Sequence, residues 1–209
     1  MFEEFFGGPY GQALAAAAAL ICLLAIAGVF YRKKISTKVL TQTAACLAIA
    51  TILSYVKFSF PQGGSITLCS MFFVSLVGFL FGPAAGIIGG AAYGLLQFAI
   101  EPAAYYPAQV FLDYPIAFGM LGLSGFFSKT KFVQTGFIVA ALARGVVSTL
   151  SGILFFAEYA PEGQSVFAYS FIYNFGYIFP EVVLTTVILF IPSVKEAVLR
   201  VAGIERKLV

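Results

Sequence analysis

Two polar, aromatic clusters interrupt an otherwise apolar chain. In the first, Gln109 and Asp113 stand four residues apart, with Tyr105 and Tyr106 before them and Tyr114 after. A helix would put Gln109 and Asp113 on one face. In the second, Ser148, Phe155 and Phe156 precede a loop, and Tyr169, Tyr173, Asn174 and Glu181 follow it. These groups suit recognition. Ring faces attract positive charge by about 0.5–2 kcal/mol. A carboxylate accepts from amino groups, and an Asn amide both donates and accepts. The chemistry is that of a pocket for a flat, cationic or hydrogen-bonding ligand. A Tyr at a membrane interface also serves as an aromatic belt, and an Asp near a helix start also suits the helix dipole. Neither accounts for Asn174, which is costly against hydrocarbon.

Bond-making chemistry finds little support. The chain has no His and no Trp, which removes the commonest metal ligand and proton relay. No P-loop, GxSxG or HExxH pattern occurs. Cys22, Cys46 and Cys69 are far apart in apolar runs, as small buried hydrophobes would be. Neither an enzyme activity nor a metal or cofactor is expected. The net charge of +3 is small, and no nucleic-acid partner is expected.

The elements that carry these residues are membrane spans. The chain is 61% hydrophobic and 10% charged, with mean hydropathy +0.98, which is the composition of an all-α integral membrane protein. No stretch is polar enough for a separate soluble domain. Glu3 and Glu4 stand where a secretory signal would be basic. Seven spans are expected: 12–31, 38–56, 66–81, 83–100, 108–127, 133–157 and 168–193. If they alternate, ten of the twelve basic residues lie on one side: Arg32, Lys33, Lys34, Lys38, Lys129, Lys131, Lys195, Arg200, Arg206 and Lys207. The positive-inside rule then places the N-terminus outside and the C-terminus in the cytoplasm.

Other features are read as packing or contact. Gly82, Gly86, Gly90 and Gly94 recur every four residues, a small face that lets helices approach closely. Ala44 and Ala48 share that spacing and would serve either packing inside the fold or a flat surface for a partner in the lipid. Arg144 and Glu181 fall mid-span and are expected to form a structural ion pair, since neither belongs alone in a membrane. The tail 194–207 would lie on the membrane surface or extend as a solvated helix.

Five stretches carry a family resemblance: LTQTAACLAIA (40–50), FPQGGSITL (60–68), AYGLLQ (92–97), PAQVFLDYPIAFGMLGLSGFF (107–127) and SGILFFAEYAPEGQSVFAYSFIYNFGYIFPE (151–181). In order and spacing the chain resembles the thiamine-specific S components of energy-coupling factor (ECF) transporters, from about Lys38 to Val194. The resemblance implies a six-helix S-component fold over 38–194. It leaves 1–37 as an additional transmembrane helix with a basic cytoplasmic loop, and 195–209 as a basic tail. It implies uptake of thiamine, or a close heterocycle, with a transmembrane coupling protein and two ATPase subunits as partners. Ala44 and Ala48 would dock the coupling protein. The family's substrate carboxylate falls on Asp113, and its last-helix Tyr and Asn fall on Tyr169 and Asn174. A His of the family falls on Ser148, a Trp on Phe156, and a loop Trp near Gly64. Tyr105 matches a loop Tyr, while Gln109 and Tyr114 flank the carboxylate. The competing expectation is a self-sufficient secondary transporter, coupled to ions through Asp113 or Glu181.

Overall fold

The computed structural model describes residues 36–60, 64–103 and 106–204. The helix expected over 12–31, its basic loop and Tyr105 lie outside the described residues. Helix α1, Thr37–Ser54, starts at Ser36, whose hydroxyl accepts from the Val39 amide at 3.4 Å. Ala44 and Ala48 lie on its exposed face, so among the described residues they do not serve packing inside the fold.

A hairpin follows, where a span was expected to begin at 66. Strands β1 (Lys57–Ser59) and β2 (Ser65–Thr67) pair antiparallel, Lys57 opposite Thr67 and Ser59 opposite Ser65. Helix α2 begins only at Ser70 and ends at Phe81. Its twelve residues reach about 18 Å at 1.5 Å per residue, short of the ~30 Å hydrocarbon layer. Val74 and Val77 are completely buried and most of α2 with them. It packs against α1 and the three helices that follow, so it is apolar on every side.

Gly82 alone separates α2 from α3, Pro83–Ile100. Its φ of 91° with ψ of 169° is a region open essentially to glycine. A Cβ there would meet nothing within 4 Å, so Gly82 belongs to the turn and not to the packing stripe. The other three glycines of the stripe do pack. A Cβ at Gly86 would lie 2.7 Å from Gly122 Cα, at Gly90 2.3 Å from the Phe118 carbonyl oxygen, and at Gly94 2.2 Å from that of Tyr114.

The surface they press on is α4, residues 107–127, which changes geometry along its length. It is α-helical over Pro107–Phe111, π-helical over Leu112–Ile116, α-helical again over Ala117–Met120 and 3-10 over Leu121–Phe127. Pro115 inside the π segment has no N–H and crowds the preceding turn, a recognised cause of such widening. Helices α5 (Val133–Phe155) and α6 (Val166–Phe190) complete the bundle. Ile191 is extended, and α7 (Pro192–Val201) turns back from it. Val194, Val198, Leu199 and Ile204 pack on the core. The described part of the tail is therefore docked on the bundle through one apolar face, with Glu196 and Arg200 exposed on the other.

Among the described residues, five helices are long and apolar enough to cross a membrane, with α2 as a shorter apolar helix between them. The protein is a multi-pass membrane protein.

Candidate ligand-binding site

A cavity of about 660 Å³ lies among the hairpin, α3, α4, α5 and α6, within the size range of small-molecule sites. Helix α5 contributes Arg144, Ser148, Gly152 and Phe156, each four residues from the last and so on one face. Gly152 is there for closeness: a Cβ would lie 2.9 Å from the Ser170 hydroxyl oxygen. Phe156 ends the helix, its ring 5.9 Å from that of Tyr159.

Helix α4 contributes Gln109, Asp113, Tyr114 and Phe118. The Gln109 amide donates to Asp113 Oδ2 at 2.9 Å and reaches the Ala103 carbonyl at 3.4 Å. The Tyr114 hydroxyl donates to the Glu101 carbonyl and accepts from the Ala103 amide, both at 3.0 Å. Gln109 and Tyr114 thus hold the α3–α4 connection beside the carboxylate. At the rim, Lys57 of the hairpin pairs with Glu101.

Helix α6 presents a ladder of tyrosines. Tyr169 and Tyr173 stack at 6.4 Å and 22°, and Tyr173 meets Tyr177 edge-on at 5.8 Å. Asn174 is buried within this ladder. Its amide nitrogen donates to the Ser170 carbonyl at 2.9 Å, and its oxygen accepts from the Tyr177 hydroxyl at 2.6 Å. The hairpin closes one side. Lys57, Ser59, Ser65 and Thr67 face the cavity, as the period of two along a strand requires. The Gly64 amide donates to the Tyr173 hydroxyl at 2.9 Å. A Cβ at Gly64 would sit 2.4 Å from the Tyr177 ring, so tyrosine fills the space that a side chain at 64 would need.

Of the residues singled out from the sequence, Gln109, Asp113, Tyr114, Arg144, Ser148, Phe156, Tyr169, Tyr173 and Asn174 therefore line one cavity. The expected Arg144–Glu181 ion pair is not formed; the ion pair found among the described residues is Lys57–Glu101. Glu181 instead accepts from the Thr67 amide (3.0 Å), the Thr67 hydroxyl (2.6 Å) and the Met71 amide (2.9 Å). The first amides of a helix have no partner within it and sit at its positive end, so a carboxylate from α6 caps α2. Arg144 lies instead over the Phe118 ring, 4.1 Å from its centre, and lines the cavity.

Sequence reasoning passed over Tyr93 and Gln97. Gln97 donates to the Tyr93 hydroxyl at 2.5 Å and to Ser54 at 3.1 Å, and Tyr93 donates to the Ala50 carbonyl at 3.2 Å. Their i, i+4 spacing in a glycine-rich apolar helix was the available signal.

A family model described as thiamine transporter protein matches residues 40–201. The chain belongs to the thiamine transporter protein family. Thiamine transporter ThiT of Bacillus subtilis (strain 168) is 35% identical over 160 residues, 69% of this chain and 83% of the relative. ThiT of Lacticaseibacillus paracasei is 27% identical over 168 residues, 72% and 84% of the two chains. The solved structure of ThiT from Listeria monocytogenes superposes with TM-score 0.69 at 23% identity, covering 78% of this chain and 96% of that one. The observed six-helix arrangement is the fold expected from the sequence resemblance. Membership places the chain among transport proteins and not enzymes.

Proposed function

We propose that this protein captures thiamine, or a close thiamine-related heterocycle, as the S component of an ECF transporter. In this reading Asp113 faces the ligand's positive ring or its amino group. Tyr169 and Phe156 supply stacking faces, and Ser148 and Asn174 polar contacts. Gln109 and Tyr114 hold the carboxylate and the rim. The observation that carries it is the convergence of Asp113 from α4, Ser148 and Phe156 from α5, and Tyr169 and Asn174 from α6 on one cavity, in a chain of the thiamine transporter family.

Orientation follows from charge. Lys38, Lys129, Lys131, Lys195 and Arg200 precede or follow helices at the end opposite the Lys57–Glu101 rim, if the six segments alternate. Positive-inside placement then opens the cavity outward and puts the C-terminus in the cytoplasm. Residues 38–194 form the binding domain, and the basic tail follows it. Ala44 and Ala48, exposed on α1, dock the transmembrane coupling protein, which works with two ATPase subunits. Glu181 is a poor ion-coupling site, since both its oxygens are engaged.

The test is calorimetric titration of the purified chain with thiamine. Tight binding by the isolated protein, weakened at least ~10-fold in Asp113→Asn, is expected from loss of a charge-assisted contact. Equal affinity in the variant removes Asp113 from the site. Thiamine uptake by the chain alone in proteoliposomes under an ion gradient would overturn the ECF reading.

A further inference from the structure

Arg144 is the charged residue that the cavity's architecture leaves with unmet donors. A guanidinium has five N–H donors and no acceptor. Its face is covered by Phe118 at 4.1 Å, but its Nε is buried with no hydrogen-bond partner. Among the described residues no carboxylate lies within ion-pair distance of it. Glu181 is engaged by Thr67 and Met71, and Asp113 by Gln109. A cation inside a membrane protein faces a partner or a cavity, and here it lines the cavity.

Its depth matters. Phe156, Gly152, Ser148 and Arg144 descend one face of α5, placing Arg144 about 18 Å along the axis from Phe156. On the facing wall, Gln109 and Asp113 lie next to the rim connection at 101–103, and Phe118 lies deeper along α4. The carboxylate is therefore near the mouth and the guanidinium at the floor. A ligand's positive charge is drawn to the first and repelled by the second. The rings beside the guanidinium are flat: Phe118 beneath it, and Tyr93 5.1 Å from Phe118. What fits there is an uncharged, planar group rich in acceptor atoms.

We propose that Arg144 is a specificity-determining residue that touches the ligand, donating from its guanidinium edge to a ring nitrogen of an uncharged heteroaromatic group. With Asp113 it fixes which way round a cationic ligand lies. This rests on the thiamine reading, in which the uncharged planar half is the aminopyrimidine and the charged half the thiazolium.

The experiment measures a preference. Purified full-length protein and the Arg144→Gln and Arg144→Lys variants are titrated with thiamine, and with a thiazolium carrying a plain benzyl group in place of the aminopyrimidine. Wild type prefers thiamine. Arg144→Gln should lower that preference about 10- to 100-fold, the size of a hydrogen bond to a charged donor. Arg144→Lys, which keeps the charge without the planar fork, should fall between. A purely structural role would weaken both ligands alike and leave the preference unchanged. That result, or unchanged affinity for both, overturns the inference while leaving the thiamine reading intact. Wild-type protein that binds no thiamine overturns the thiamine reading, and this inference with it.

Discussion

Replacing Gly94 by Ala tests whether the close approach of α3 and α4 positions the binding wall. The added Cβ would lie 2.2 Å from the Tyr114 carbonyl oxygen, where ordinary contact begins at about 3.4 Å. The obstacle is backbone and not a swinging side chain, so the two helices must part by roughly 1 Å. Overpacking of this kind costs about 1–3 kcal/mol. The displaced segment carries Asp113 and Tyr114, and the Tyr114 bonds to Glu101 and Ala103 stand at 3.0 Å, so such a shift takes them past hydrogen-bonding distance. If the strain is relieved by moving that wall, thiamine affinity falls by roughly 5- to 150-fold. Gly86→Ala is the control. Its Cβ would lie 2.5 Å from Gly78 Cα, an equally severe clash among residues that do not line the cavity. Both variants should melt lower by roughly 2–12 °C, and only Gly94→Ala should lose affinity, as read by titration calorimetry on monodisperse protein. Equal loss of affinity in the two, or wild-type affinity in Gly94→Ala, refutes the reasoning.

Two further variants probe the frame. Glu181→Ala leaves the Thr67 and Met71 amides buried without an acceptor, at about 1–3 kcal/mol each. Its melting temperature, followed by size-exclusion survival after heating, should drop by roughly 4–24 °C, and Glu181→Gln, which keeps one acceptor oxygen, should drop less. An unchanged melting temperature would show that the cap on α2 is dispensable. Gly82→Ala meets no clash but must adopt a conformation costing about 1–3 kcal/mol. It should lower the melting temperature while thiamine affinity stays at the wild-type value, and a loss of affinity would mean that the turn reaches the cavity.

Much of the wall was legible because helical spacing is local. Gln109 with Asp113, and Ser148 with Phe156, fall at multiples of four, and any helix there would align them. The glycine stripe was legible for the same reason, except Gly82, whose backbone angle is set by the turn. Residues 57–67 read as a loop leading into a span, because strands of three residues give almost no periodic signal. The widened turn around Pro115 was equally hidden, since a single proline permits a kink, a break or a π segment. The Arg144–Glu181 expectation failed for a physical reason. Intramembrane charges need partners, but the partner of Glu181 is the open end of a helix and that of Arg144 is a ring face. Both are supplied by tertiary packing, which no charge pattern encodes.

The bonds from Thr67 to Glu181 have a consequence for the chemistry of a cavity that Glu181 itself does not line. Two strands of three residues specify their alignment weakly, and a slip of one position turns every side chain over. The carboxylate grips Thr67 through both amide and hydroxyl, which a slipped hairpin could not offer in the same place. In the observed alignment Lys57, Ser59, Ser65 and Thr67 look inward, and Phe58, paired with Ile66, looks away. Slipped by one, the hairpin would turn Phe58 and Ile66 inward and make that wall greasy. A carboxylate midway along α6 thus decides whether water-loving or oily groups greet an incoming solute, by setting the phase of two short strands.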